Sequence, residues 1–160
     1  MSKLITTLGV TALLAVPSSG QAVGLQIIDY RGQQTLGCVD LVDQSFSLSF
    51  IHSVSLTPVI DEYDLLNTDN HYRILQTAER FFAHGQGLPS LVDEPDATAF
   101  EHTNGQFILR LKRKIDNLIV RTDSRFKNRL HTGSITIDLN QWPDNGLKIH
   151  PVEHCLNTTQ

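Results

Sequence analysis

Three histidine-bearing stretches hold most of the residue types that could do chemistry in this chain. Phe50-Ile51-His52-Ser53-Val54 precedes Pro58 and the run Asp61-Glu62-Tyr63. Phe81-Phe82-Ala83-His84-Gly85-Gln86-Gly87-Leu88-Pro89 follows, and His150-Pro151-Val152-Glu153-His154 lies near the C-terminus. A histidine and a carboxylate on adjoining strands can fix each other's protonation, hold a ligand between them or move a proton. His52 and Glu62 suit such a pair. Three readings of it compete: a satisfied polar pair that sets strand register, a ligand-binding pair at the mouth of a sheet, and a catalytic dyad or metal site. Ser53, Tyr63 and His84 stand close enough in sequence to join it. Gly85 and Gly87 permit positive φ or close backbone approach, and Pro89 stiffens the exit. Such a turn can present N–H groups to an anion, or simply reverse the chain.

The third stretch has the spacing H-x-x-E-H of an inverted zinc-protease motif. That motif needs both histidines on one face of a helix and a third ligand well downstream. Six residues follow His154, and Pro151 with the adjacent Cys155 favours an extended tail, so a metalloprotease is not expected. Asp93, Glu94 and Asp96 lack the spacing and glycine of an EF-hand loop and read as a solvated acidic loop. No nucleophile elbow, phosphate-binding loop or dinucleotide fingerprint occurs. Neither a catalytic residue nor a cofactor is assigned.

The elements that must position these residues read as strands. Phe46, Leu48 and Phe50 alternate with Ser47 and Ser49, and Phe107, Leu109 and Leu111 alternate with Arg110 and Lys112. Ile135, Ile137 and Leu139 do the same against Thr136 and Asp138. A period of two buries one face of a strand. Weaker candidates cover Leu25–Tyr30, Thr35–Leu41, Val59–Leu66, Tyr72–Thr77, Leu118–Arg121 and Leu147–Val152. Turn residues punctuate them at Asp29-Tyr30-Arg31-Gly32, Asn67 to Asn70, Thr103-Asn104-Gly105, Asp116-Asn117 and Asp144-Asn145-Gly146. The expected fold is all-β: an antiparallel sandwich or partly open barrel of about eight to nine short strands. Thr77 to His84 fits either a helical turn or a continuing strand. Gly85 to His102 reads as one long loop. Lys112-Arg113-Lys114 reads as a solvated strand end.

Residues 1–22 read differently. Lys3 is their single charge, Leu4 to Val16 are apolar, and Gly20 and Ala22 provide small residues at a cleavage site, as in a secretory signal peptide. Thirteen residues of helix cover roughly 20 Å, short of the ~30 Å of a hydrocarbon core. Export to the periplasm is expected, leaving residues 23–160 as one β domain not inserted in the membrane. The chain carries 13 basic and 17 acidic residues, a net charge of −4, and losing Lys3 makes it one unit more negative. Nothing in that balance attracts nucleic acid or an anionic membrane surface. Cys38 and Cys155 are the two cysteines, and in an exported chain an even pair reads as a disulfide.

The order and spacing of the Phe50–Val54 segment, Pro58, the Glu62-Tyr63 pair and the Gly85–Pro89 stretch resemble the DUF1850 family of small exported bacterial proteins. The likeness covers roughly Phe46 to Leu91, and Gln86 departs from the small residue its pattern places between the glycines. The resemblance implies an accessory role beside a TRAP transporter that uses a TAXI-type solute receptor, with that receptor or the membrane subunits as partner and no chemistry of its own. The alternative is a small-ligand or metal-binding module built on His52, Glu62 and Gly85–Pro89.

Overall fold

Alternating side chains need a second layer to bury their apolar face, and here each layer is a sheet. The computed structural model describes residues 23–68, 71–82, 94–133 and 135–155. His84, Gly85, Gly87 and Pro89, together with residues 1–22, lie outside the described residues. The strands are β1 (Val23–Asp29), β2 (Thr35–Leu41), β3 (Ser45–Ile51), β4 (Pro58–Thr68), β5 (His71–Phe81), β6 (Ala97–Thr103), β7 (Gln106–Ile115), β8 (Leu118–Arg121), β9 (Arg129–Thr132), β10 (Ile135–Asp138) and β11 (Gly146–Val152). One sheet has the order β2-β1-β11-β8 and the other β10-β9-β3-β4-β5-β7-β6. Every pairing is antiparallel. The fold is therefore an all-β sandwich of two open sheets, not a closed barrel.

The main core lies between the sheets. Leu25, Ile27, Val39, Leu41, Leu147 and Ile149 of the smaller sheet meet Phe46, Leu48, Tyr63, Leu65, Ile74 and Leu130 of the larger. A second, smaller cluster joins Val59, Phe81, Leu109 and Leu111, with Phe50, Phe100 and Phe107 against it. Phe81 stacks on Phe107 with ring centroids 5.6 Å apart.

Two strands escaped the sequence reading. β6 occupies the second half of the stretch expected to be a loop, and it pairs with β7 through a hairpin at Asn104-Gly105. Both turn residues have positive φ, 51° and 72°, the twist a two-residue hairpin needs. Polar and exposed side chains on this edge strand (Thr98, Glu101, His102, Thr103) hid its period. β9 is four residues long, too short for alternation to register. Thr77 to Phe81 continues β5 as a strand, with a bulge between Gln76 and Ala78 in its pairing with β7.

Cys38 and Cys155 form a disulfide with Cα atoms 5.7 Å apart. It joins β2 to the chain just beyond β11, reaching across β1 at Gly24. Gly24 is the residue that makes room for it. A Cβ there would sit 2.8 Å from Cys155 Sγ and 3.2 Å from both Cys155 N and Asp40 Oδ1. Asp40 Oδ1 also accepts the Cys155 N–H at 2.9 Å, so neither neighbour can retreat cheaply.

Gly24→Ala is expected to destabilise the protein by about 1–3 kcal/mol, the usual cost of overpacking. Cys38→Ser with Cys155→Ser is expected to cost about 5 kcal/mol, since the bond closes a loop with a sequence separation of 117 residues. Urea unfolding of each variant checks both, and an unchanged midpoint in either would refute the corresponding account.

Candidate functional site: a cleft between the open sheet edges

β8 ends one sheet, and β9 pairs with β3 only as far as Ser49, opposite Arg129. The upper part of β3 and the whole of β8 therefore face each other across a gap that no strand of the described residues fills. The connection from β8 to β9, with its 3-10 turn at Ser124–Phe126, closes one end. The result is a cleft of about 580 Å³, within the size range of small-ligand pockets. Leu48, Phe50, Leu118, Val120, Phe126 and Leu139 supply apolar surface. His52, Ser53, Asp61, Tyr63 and the arginines at 121, 125 and 129 supply the polar groups.

Strand parity decides which expected residues arrive there. Val59, Asp61, Tyr63 and Leu65 lie opposite Phe50, Leu48, Phe46 and, across β5, Ile74, so all four face the inner layer. Glu62 faces the other way. It accepts Arg80 Nε at 2.5 Å on the outer face, opposite Ser47 and Ala78, and does not pair with His52. His52 sits just past the end of β3 and caps the turn to β4. Its Nδ1 accepts the backbone N–H groups of Ser55 at 3.2 Å and Val54 at 3.3 Å. With Nδ1 committed to these two N–H groups, Nε2 is the ring nitrogen left for whatever enters the cleft. Ser53 is an exposed residue of the same turn. Tyr63 is buried, stacks on Phe46 at 4.9 Å and donates its hydroxyl to Asp61 Oδ2 at 3.3 Å.

Asp61 is the polar residue the sequence reading passed over. Gln76 Nε2 donates to its Oδ1 at 3.2 Å, and Arg113 Nη1 donates to Gln76 Oε1 at 3.4 Å. Arg113 in turn binds Glu94, and Asp96 Oδ2 at 3.2 Å. Arg113 is thus no solvated strand end, and Glu94 and Asp96 form no free acidic loop. Glu79 lies opposite Asp61 on β5. A polar belt therefore crosses the inner face of β4, β5 and β7 between the two apolar clusters. Counting by twos from Phe46 and Tyr63 would have placed Asp61 inward and Glu62 outward.

The belt's electrostatics follow from its burial. Desolvation raises Asp61 to about 6, against the lowering effect of the Tyr63 and Gln76 hydrogen bonds and of Arg113. Burial, then the charges of Asp61 and Glu94, raises Glu79 to about 7. Tyr63 is raised by burial and by Asp61. Carboxyls displaced toward neutrality in a cleft are candidates for a functional site, and structural ion-pair networks displace them too.

A second grouping deserves comparison. On the outer face, Ser49 Oγ and His131 Nε2 are 2.8 Å apart, and His131 Nδ1 is 3.0 Å from Thr136 Oγ1. Burial, then the charge of Arg129, lowers the His131 pKa. That is the hydrogen-bond order of a nucleophile, a base and an orienting group. Ser49, however, is paired in the ladder on both sides, with Ile60 and with Arg129. Its place inside the ladder makes it a register residue of the outer face before it is a nucleophile. Among the described residues, no three or more His, Cys, Asp or Glu side chains are grouped to hold a metal ion. His150, Pro151 and Val152 belong to β11, so the H-x-x-E-H spacing is not helical.

Raised carboxyl pKa values fix the sign of the pH dependence. Asp61 and Glu79 bind protons more tightly folded than unfolded, where their values are 3.8 and 4.5. Their stabilising contribution is complete below those values and is lost as pH rises through about 6 and 7. The melting temperature is expected to be higher at pH 5 than at pH 8. Asp61→Asn combined with Glu79→Gln is expected to shrink that difference, and an undiminished difference in the double variant would count against this assignment.

The residues that carry the cleft coincide with a sequence relationship. The family described as a domain of unknown function, DUF1850, matches residues 46–139, which run from the inward Phe46 of β3 to the cleft residue Leu139. No curated protein and no solved structure matches the chain. The chain belongs to the DUF1850 family.

Proposed function

We propose that this protein is exported to the periplasm and works there as a binding and accessory protein, without chemistry of its own, beside a TRAP transporter served by a TAXI-type solute receptor. The observation that carries the binding role is the cleft between β3 and β8. It combines an apolar lining with the His52 ring, the buried Asp61–Tyr63 pair and arginines at its mouth. The signal-like residues 1–22 and the Cys38–Cys155 bond support an oxidising compartment. The transporter association is what the resemblance of the Phe50–Val54, Glu62-Tyr63 and Gly85–Pro89 stretches implies, and the partner we propose is the receptor or the membrane subunits. In the described residues no helix is long and apolar enough to cross a membrane.

A second reading has the cleft holding a small organic molecule of its own. His52 Nε2, Arg121 and the Asp61 carboxyl would orient such a ligand while the apolar walls bury its body.

Affinity purification of the tagged, full-length gene product from its native envelope tests the first reading. Receptor or membrane subunits are expected to co-purify, and deletion of the gene is expected to lower solute uptake. Neither partner nor uptake defect would overturn it. Thermal shift of the purified protein against carboxylic acids and divalent cations tests the second. A response to a carboxylic acid that His52→Ala weakens would favour it, and a flat panel would remove it.

A further inference from the structure

The two walls of the cleft are strand edges as well as side-chain surfaces. All four residues of β8 line it, as does the unbroken run from Leu48 to Ser53. In an antiparallel pair, successive residues alternate between aiming N–H and C=O at the partner and aiming them away. Thr122 N donates to Asn145 O at 2.9 Å, continuing the register in which Arg121 lies opposite Gly146. Val120 and Leu118 are then turned toward β11, and Ile119 and Arg121 direct both backbone groups into the cleft. On the facing wall, His52 N donates to Thr57 O at 2.9 Å, so His52 and Phe50 are turned toward β4. Ile51 turns its groups the other way, beyond the point where β9 stops.

We infer that the cleft accepts an extended segment of a partner protein, added as a strand along β8 and bridging toward β3. The inference rests on the binding and accessory role proposed above and specifies how the partner is held. An open edge of this kind pairs readily with another chain, with main-chain hydrogen bonds supplying affinity and alternate side chains supplying specificity. Residues of the segment that face inward meet Leu118, Val120, Phe50 and Leu139 and must be apolar.

Charge identifies the other face of the segment as acidic. Three arginines line the cleft against two aspartates, in a chain that is acidic overall. Arg125 is paired with Asp123 and Arg129 with Asp138. Among the described residues Arg121 has no carboxylate partner, and it stands at the end of the open edge. A glutamate or aspartate on the incoming strand supplies one. Ile119, 42 % exposed beside it, offers apolar contact to the same segment.

The probe is a fluorescein-labelled peptide, Thr-Val-Glu-Val-Thr-Val-Thr, titrated into the exported protein by anisotropy. Replacing its Glu with Lys is expected to weaken binding roughly tenfold, and methylating alternate backbone nitrogens to abolish it. Hydrogen exchange is expected to be fast at the Ile119 and Arg121 amides in the free protein and slow in the complex. Ile119→Pro removes an outward N–H from an edge strand without touching the β11 ladder, and is expected to lower affinity roughly fivefold with the fold intact. Should that variant unfold, Arg121→Glu keeps the test open, since it should reverse the preference between the Glu and Lys peptides. Absence of binding, equal binding of the N-methylated peptide, or fast Ile119 and Arg121 amides in the complex would each overturn strand addition. Displacement of the peptide by 3-phenylpropionate would do so too, in favour of a small ligand. A protein that co-purifies with the receptor yet ignores the peptide defeats this mode of binding alone. One that binds the peptide but has no envelope partner defeats the transporter role instead.

Discussion

A four-stranded sheet cannot cover a seven-stranded one. Neighbouring strands lie about 4.8 Å apart, so three unmatched strands leave roughly 14 Å of the larger sheet without a facing layer. Most of what distinguishes this molecule follows from that mismatch. Where the two sheets overlap, the inner faces are mainly apolar and form the main core. Beyond the overlap the larger sheet supports its own aromatic cluster around Phe81, Leu109 and Phe107. Between the two runs the polar belt, in which Asp61 has hydrogen-bond partners and Glu94 and Asp96 share an arginine.

The same mismatch explains why the sandwich stays open at β8. The chain crosses between sheets four times, and the crossing from β8 to β9 spends seven residues on a 3-10 turn and its flanks instead of extending either strand. Asp123 caps that turn through its contact with the Arg125 N–H, and Asn128 accepts the Asp123 N–H, so the connection is held short and compact. A longer β9 would have paired with Ile51 and closed the cleft. Its absence leaves backbone groups, a buried carboxyl and, among the described residues, an arginine without a carboxylate partner around one space, and burial, not sequence proximity, is what gives that space its chemistry.

Burial also separates the two polar pairs of β4. Asp61 and Glu62 are adjacent in sequence, yet one is desolvated among Tyr63, Gln76 and Arg113 while the other forms an ion pair on the far face. The half-buried pair Glu62–Arg80 keeps solvent access on the outer face, which screens it. The inward group costs more to bury, and the surrounding donors offset only part of that cost, which is why its proton affinity rises.

Period and composition were legible without coordinates. The alternations at Phe46, Phe107 and Ile135 determined strands, the even cysteine pair determined the latch across β1, and the turn residues marked most connections. Local signals of this kind suffice because a strand's two faces are set by residue spacing alone. Pairing is another matter, because it joins residues far apart in the chain. The sequence placed His52 beside Glu62 on the strength of neighbourhood, and strand parity sent Glu62 to the opposite face. It read Arg113 as surface from its charged neighbours, but that residue continues by twos the inward run of Phe107, Leu109 and Leu111, lies opposite Gln76 and meets Glu94 and Asp96. Which strands lie side by side, which edge is left open and how deeply Asp61 is buried depend on the whole set of long-range contacts, and only the folded arrangement of both sheets decides them.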